Sequence, residues 1–236
     1  MYPTPDCGPR ASESNRVGRL HVPSDSANGP RPGAGDHHGD PGYRQLHMLW
    51  PAGRRPYPDA LRPAPGYLLR PGSDADIAPF RELMARVELG SWGDEELAQV
   101  HASVLPDGWL VVVHQPTGRL VATGMAQHNP VPELYPGGYE VGWIAADPDH
   151  SGHGLGRSVT AAVANRLVDA GAMSIFLRTD DFRLPALAIY LRLGFTPHLY
   201  APDMSDRWAA VHQRLGGTPA PSAGTRPDPP TARPLP

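Results

Sequence analysis

The sequence predicts an α/β fold, a mixed and mostly antiparallel sheet flanked by helices, and three observations predict it. Between about residues 66 and 200 the apolar spacing alternates between strand-like and helix-like, in the order β-α-α-β-β-β-α-β-α-β. Two apolar, β-branched runs, residues 109–114 and 120–126, flank Gln115-Pro116-Thr117-Gly118-Arg119, which is a hairpin signal with Pro and Gly placed for a type I turn. A third apolar run, residues 139–146, leads through a glycine-rich loop into a helical segment.

In chain order, residues 43–50 read as a short strand or an ordered arm, and a proline-rich linker follows in which Arg54, Arg55 and Arg62 are expected to be solvated. Gly66 to Pro71 reads as the first core strand. Ser73 or Asp74 then caps a helix whose Ile77, Phe80, Leu83 and Met84 share one face. A second helix spans about 94–104, with Leu97, Val100, His101 and Val104 inward. The prolines and glycines of 129–138 predict a loop. Val159, Ala162, Val163, Leu167 and Ala170 lie on one face of the long helix, and Gly171 stands where a C-cap belongs. Residues 173–177 read as a strand buried on both faces, 184–193 as a helix, 195–200 as a last strand and 206–215 as a closing helix.

Composition sets the limits of this unit. The 30 prolines and 26 glycines concentrate toward the two ends, where too little apolar surface exists to offset ordering entropy. Residues 1–43 are therefore expected to be a disordered head and 216–236 a disordered tail, with 44–65 as linker or arm and 66–215 as one domain. His37-His38 in the head lack further ligands at metal spacing, so no metal is expected. The single cysteine, Cys7, rules out intramolecular disulfides. A net charge of −3 gives no support for nucleic-acid binding. No apolar window is long enough for a membrane span and no signal pattern opens the chain, so a soluble, cytoplasmic protein is expected.

The stretch Asp147-Pro148-Asp149-His150-Ser151-Gly152-His153-Gly154-Leu155-Gly156-Arg157 organises the rest. A strand, a glycine loop and a helix in succession aim unpartnered N–H groups and the positive end of the helix dipole at an anion. Two common phosphate loops fail here. A Walker loop needs a lysine, and the chain has none. A dinucleotide fingerprint needs G-x-G-x-x-G, and Gly152, Gly154 and Gly156 alternate instead.

The segment Ser151-Gly152-His153-Gly154-Leu155-Gly156 resembles the acyl-CoA loop of the GNAT N-acetyltransferases, [QR]-x-x-G-x-G/A, in frame. The resemblance extends to Glu140 through Pro148 before it and Ala188 through Phe195 after it, and covers roughly residues 66–200. Ser151 departs from the usual Gln or Arg, and His153 or Arg157 are alternative donors. The resemblance implies an N-acetyltransferase that uses acetyl-CoA as acyl donor without a metal. It further implies that backbone groups of Ile144, Ala145 and Ala146, with the loop Ser151 to Arg157, bind the cofactor. Tyr190 matches the family's general acid, although on periodicity alone a tyrosine there is core packing. Glu140 is the candidate water-mediated base, with a solvent-facing strand residue as its bland alternative.

The same resemblance places Glu88, Trp92 and Glu95 on the acceptor wall and puts Arg183 or Asp181 where many members have an Asn on the pantetheine. Asp180 and Asp181 are alternatively helix caps. A small-molecule amine is the preferred acceptor and a protein amine the alternative; a homodimer is compatible with the family. A non-catalytic CoA-binding module is the rival reading of the whole chain.

Overall fold

The computed structural model describes residues 43–216, so the expected disordered head and tail, with Cys7 and His37-His38, lie outside the described residues. Seven strands form one sheet: β1 (Leu46–Trp50), β2 (Tyr67–Pro71), β3 (Val104–His114), β4 (Arg119–His128), β5 (Tyr139–Ala146), β6 (Ile175–Thr179) and β7 (Thr196–His198). The helices are α1 (Ile77–Arg86), α2 (Asp94–His101), α3 (Leu155–Asp169), α4 (Leu184–Leu193) and α5 (Met204–Arg214). The strand order is β2-β3-β4-β5-β6-β1-β7, antiparallel except for the β5–β6 pair. The mixed, mostly antiparallel α/β sheet expected from sequence is therefore the fold observed.

Each expected element forms, with local differences. Ser73 caps the turn into α1: its backbone N–H donates to Asp76 Oδ2 at 2.9 Å, and Arg70 forks the same carboxylate at 2.7 and 2.8 Å. Phe80, Leu83 and Met84 then bury one face of α1 against Trp92, Trp109 and Trp143. On the opposite side of the sheet, Val159, Val163 and Leu167 of α3 pack with α4, α5 and β1. Gly171 follows α3 at φ +77°, as its C-cap position predicts. Met173, expected inside β6, is 77% exposed, and the strand begins at Ile175.

The stretch open between strand and arm is a strand of the sheet interior. β1 pairs with β6 through Leu46↔Thr179 to Trp50↔Ile175 and with β7 on its other edge. In the linker after it Arg55 and Arg62 are exposed, as expected, and the chain is held at two points. Trp50 Nε1 donates to the Arg54 carbonyl at 2.8 Å, and Arg55 pairs with Asp169 at the end of α3. Among the described residues no helix is long and apolar enough to cross a membrane.

Candidate active site

Two irregularities in β5 create the site. Thr123 pairs with Ala145 but Met125 pairs with Gly142, so β5 carries one more residue than β4 across this interval, a β-bulge. Trp143 sits in it at φ +55°, a conformation that costs a bulky side chain of order 1–3 kcal/mol. On its other edge β5 pairs with β6 only at Tyr139↔Ile175 and Glu140↔Phe176. Beyond Glu140 the two parallel strands part, with Glu140↔Phe176 the last pair of the β5–β6 register. A cavity of about 380 Å³ opens there, lined by Val141, Trp143 and Ile144 of β5, Arg178 and Thr179 of β6, and Tyr190 of α4.

Tyr190 is both a packing residue and part of the cavity wall. Its ring is 7% exposed and meets Phe195 edge-on at 6.0 Å, yet it also faces the cavity. α4 is held around it by Pro185 in the first turn and by a Schellman ending, in which Phe195 N donates to the Tyr190 carbonyl at 3.0 Å and Gly194 N to that of Leu191.

The glycine loop stands at the carboxyl end of β5. Asp147, buried, accepts from Asp149 N at 3.0 Å and from Arg119 Nη2 at 2.9 Å, which fixes the turn entering the loop. Gly152 and Gly154 lie at φ +83° and +69°, where a side chain is strained. Gly156 serves close packing instead, since a Cβ there would sit 3.2 Å from Ile189 of α4. Leu155 is buried, so only its backbone faces outward. The N–H groups of Leu155, Gly156 and Arg157 open α3 without helical acceptors, which leaves them for an anion. Ser151 is exposed. The alternative donors are engaged elsewhere. His153 Nδ1 lies 3.1 Å from the Ser151 carbonyl, and Arg157 Nη2 reaches the Asp59 carbonyl at 3.4 Å. None of residues 151–157 lines the cavity, whereas Ile144 does.

Glu140 is 1% exposed, which removes the solvent-facing alternative. Arg178 Nε donates to its Oε1 at 3.1 Å and Nη2 to Oε2 at 2.8 Å, while Asn129 Nδ2 donates to Oε2 at 2.6 Å. Arg178 faces the cavity and Glu140 stands behind it. Arg178 was missed on the sequence, where it falls just past the apolar strand read over 173–177. The only signal was a charge interrupting Ile175-Phe176-Leu177-Arg178-Thr179. Asp180 and Asp181 do not cap α4 with their side chains: Asp180 accepts from Arg183 Nε at 3.0 Å, and Asp181 pairs with Arg207 of α5. Glu88 lines the cavity, Trp92 is buried with Nε1 donating to the Leu89 carbonyl, and Glu95 lies exposed on α2 outside it.

Beside Arg178 lies a polar cluster with no sequence signature. The Tyr135 hydroxyl is 3.0 Å from His47 Nδ1 and 2.7 Å from His198 Nδ1, and Tyr200 stacks on His47 at 4.1 Å. Burial, aided by the Arg178 guanidinium, holds His47 down at about 4, against 6.5 unperturbed. The neutral imidazole therefore contributes stability that is complete above pH 6.5 and is lost as pH falls toward 4, at most about 3 kcal/mol. Urea unfolding across that window should show a shallower loss in His47→Gln than in the wild type; equal slopes would contradict the assignment.

A sheet that opens between two parallel strands, next to a glycine loop and an inward tyrosine, is the framework of an acyl-transfer fold. The model of the family described as "Acetyltransferase (GNAT) family" matches residues 77–195. A mycothiol acetyltransferase from Arthrobacter sp. is 31% identical over 166 residues, which cover 66% of this chain and 51% of that protein. Another from Thermomonospora curvata is 30% identical, covering 67% and 53%. The chain thus spans about half the length of the curated relatives it matches. In fold it is similar to a GCN5-related N-acetyltransferase from Sphaerobacter thermophilus, with TM-score 0.51, 19% identity, and coverage of 66% of this chain and 50% of that one. The chain belongs to the GNAT acetyltransferase family, a family of acyl-transferring enzymes that use acetyl-CoA as cosubstrate.

Proposed function

We propose that this protein is an N-acetyltransferase that passes the acetyl group of acetyl-CoA directly to a primary amine. The observation that carries this reading is the parting of β5 from β6, which opens a cavity walled by Val141, Trp143 and Ile144 of β5 and by Tyr190 of α4. The loop N–H groups and the start of α3 suit the phosphates of the cosubstrate, and the open edge of Ile144, Ala145 and Ala146 suits its extended arm and acyl carbonyl.

In the reaction the amine nitrogen bonds to the thioester carbon, the C–S bond breaks, the amine gives up a proton and the thiolate takes one. A single preorganised N–H on the carbonyl is worth roughly 3 kcal/mol. Alignment of the two reactants contributes on the order of 7–11 kcal/mol, so positioning is the larger part. Tyr190 supplies the thiolate's proton: a phenol is protonated at neutral pH and can hand its proton to the sulfur as the C–S bond breaks. Glu140, expected as a base through water, is committed on both oxygens to Arg178 and Asn129. We assign it first to holding Arg178 on the cavity wall.

The relatives named mycothiol acetyltransferase support a small-molecule amine as acceptor, with a protein amine as the alternative. A cytoplasmic location follows from this reading, since acetyl-CoA must be at hand. The test is transfer itself. With acetyl-CoA and a panel of primary amines, free thiol should appear only when an amine is present. Acetyl-CoA binding without turnover on any amine would favour the non-catalytic alternative.

A further inference from the structure

We infer that Glu88 is the acceptor-binding residue of this cavity and that it selects amines carrying a positive charge. The inference rests on the cavity being the acyl-transfer site proposed above. The backbone at the end of α1 is the first observation. Leu89 N donates to the Met84 carbonyl at 2.8 Å and Glu88 N to that of Ala85 at 3.2 Å. This is the Schellman ending, whose left-handed position is normally taken by glycine. Here that position is Glu88, at φ +56°. A glutamate in this slot is strained and a glycine would not be, so the fold alone does not call for Glu88. Such outliers gather at functional sites. Trp143, on the same cavity, is another at φ +55°.

The second observation is the charge of the cavity wall. Three charged side chains line it: Glu88, Arg178 and Arg183. Arg178 is forked by Glu140 at 2.8 Å and Arg183 is paired with Asp180 at 3.0 Å, so both arginines arrive neutralised. Glu88 makes no ion pair among the described residues. The wall therefore carries one uncompensated negative charge, on a backbone tied down before it by Val87 N on the Leu83 carbonyl and after it by Leu89, whose N–H donates to Met84 and whose carbonyl accepts from the Trp92 indole. A low-dielectric recess strengthens attraction between such a carboxylate and a cation. An ammonium, or a second cationic group beside the reacting amine, fits this wall. A carboxylate or phosphate next to the amine does not.

The test uses the full chain with CoA present, and reads binding of 1,4-diaminobutane and of 4-methoxyaniline, which is uncharged at pH 7.5, by titration calorimetry. Glu88→Gln keeps the shape and removes the charge, and it should weaken the diamine about tenfold while moving the aniline less than twofold. Glu88→Gly should weaken the diamine equally and raise the unfolding midpoint, because glycine relieves the left-handed residue. Glu95→Gln, which removes the same charge from exposed α2, should change neither amine. The inference is overturned if Glu88→Gln leaves the diamine within twofold, if both amines weaken alike, or if the wild type fails to bind the diamine. Glu88-dependent binding without acetyl transfer would sink the acyl-transfer reading, and with it the acceptor role, and leave only a cation-selective Glu88 in this cavity.

Discussion

Tyr190→Phe should lower kcat by about a hundredfold or more, the range that general acid catalysis contributes, while acetyl-CoA still binds. The substitution keeps the ring that packs against Phe195 and removes only the hydroxyl. Folding and the cavity wall therefore survive, and the loss falls on the proton that the departing thiolate needs. Steady-state turnover and a melting shift with acetyl-CoA separate the two effects. At a ligand concentration 100 times its dissociation constant the shift corresponds to about 2.7 kcal/mol, and it should match the wild type. A variant that keeps turnover within a few-fold would mean that solvent or another group protonates the thiolate.

Glu140→Ala should destabilise the fold by about 3–5 kcal/mol, because it strands the Arg178 guanidinium in a largely buried position. Arg178 is one-fifth exposed and its partner almost wholly buried, so water cannot replace the lost carboxylate freely. Removing both charges should be much milder: Glu140→Leu with Arg178→Met replaces the pair by apolar groups of similar length, a change that is often neutral. Urea unfolding of the single and double variants makes the comparison. If the double variant is as unstable as Glu140→Ala, the pair matters for packing rather than charge.

The central strand, the loop and the long helix were legible because their signals are local. A β-branched run, alternating glycines and a 3.6-residue apolar period each lie within a few residues of one another, and each element appears where they place it. The strand Leu46–Trp50 was only half legible. Five residues carry little periodicity, and its partners Ile175–Thr179 and Thr196–His198 lie more than a hundred residues away. The same distance effect hid the clamp on Glu140: a carboxylate in one strand and a guanidinium 38 residues on become a pair only when the parallel strands align. Met173 failed for another reason. Its hydrophobicity joined it to the strand, yet it follows the turn closing α3 and lies outside the core. Glu88 was named from family resemblance alone; what distinguishes it, a left-handed backbone at a non-glycine residue, leaves no mark in a sequence.

The most direct measurement is the stoichiometry of the proposed reaction. Free thiol and acetylated amine are counted together, by a thiol reagent and by mass spectrometry, during turnover of acetyl-CoA with a cationic primary amine. One amide is expected for each thiol, both dependent on the amine and both lost together in Tyr190→Phe. Thiol release without amide, at a rate indifferent to the amine, would identify a thioester hydrolase and contradict acyl transfer at the parted β5–β6 strands.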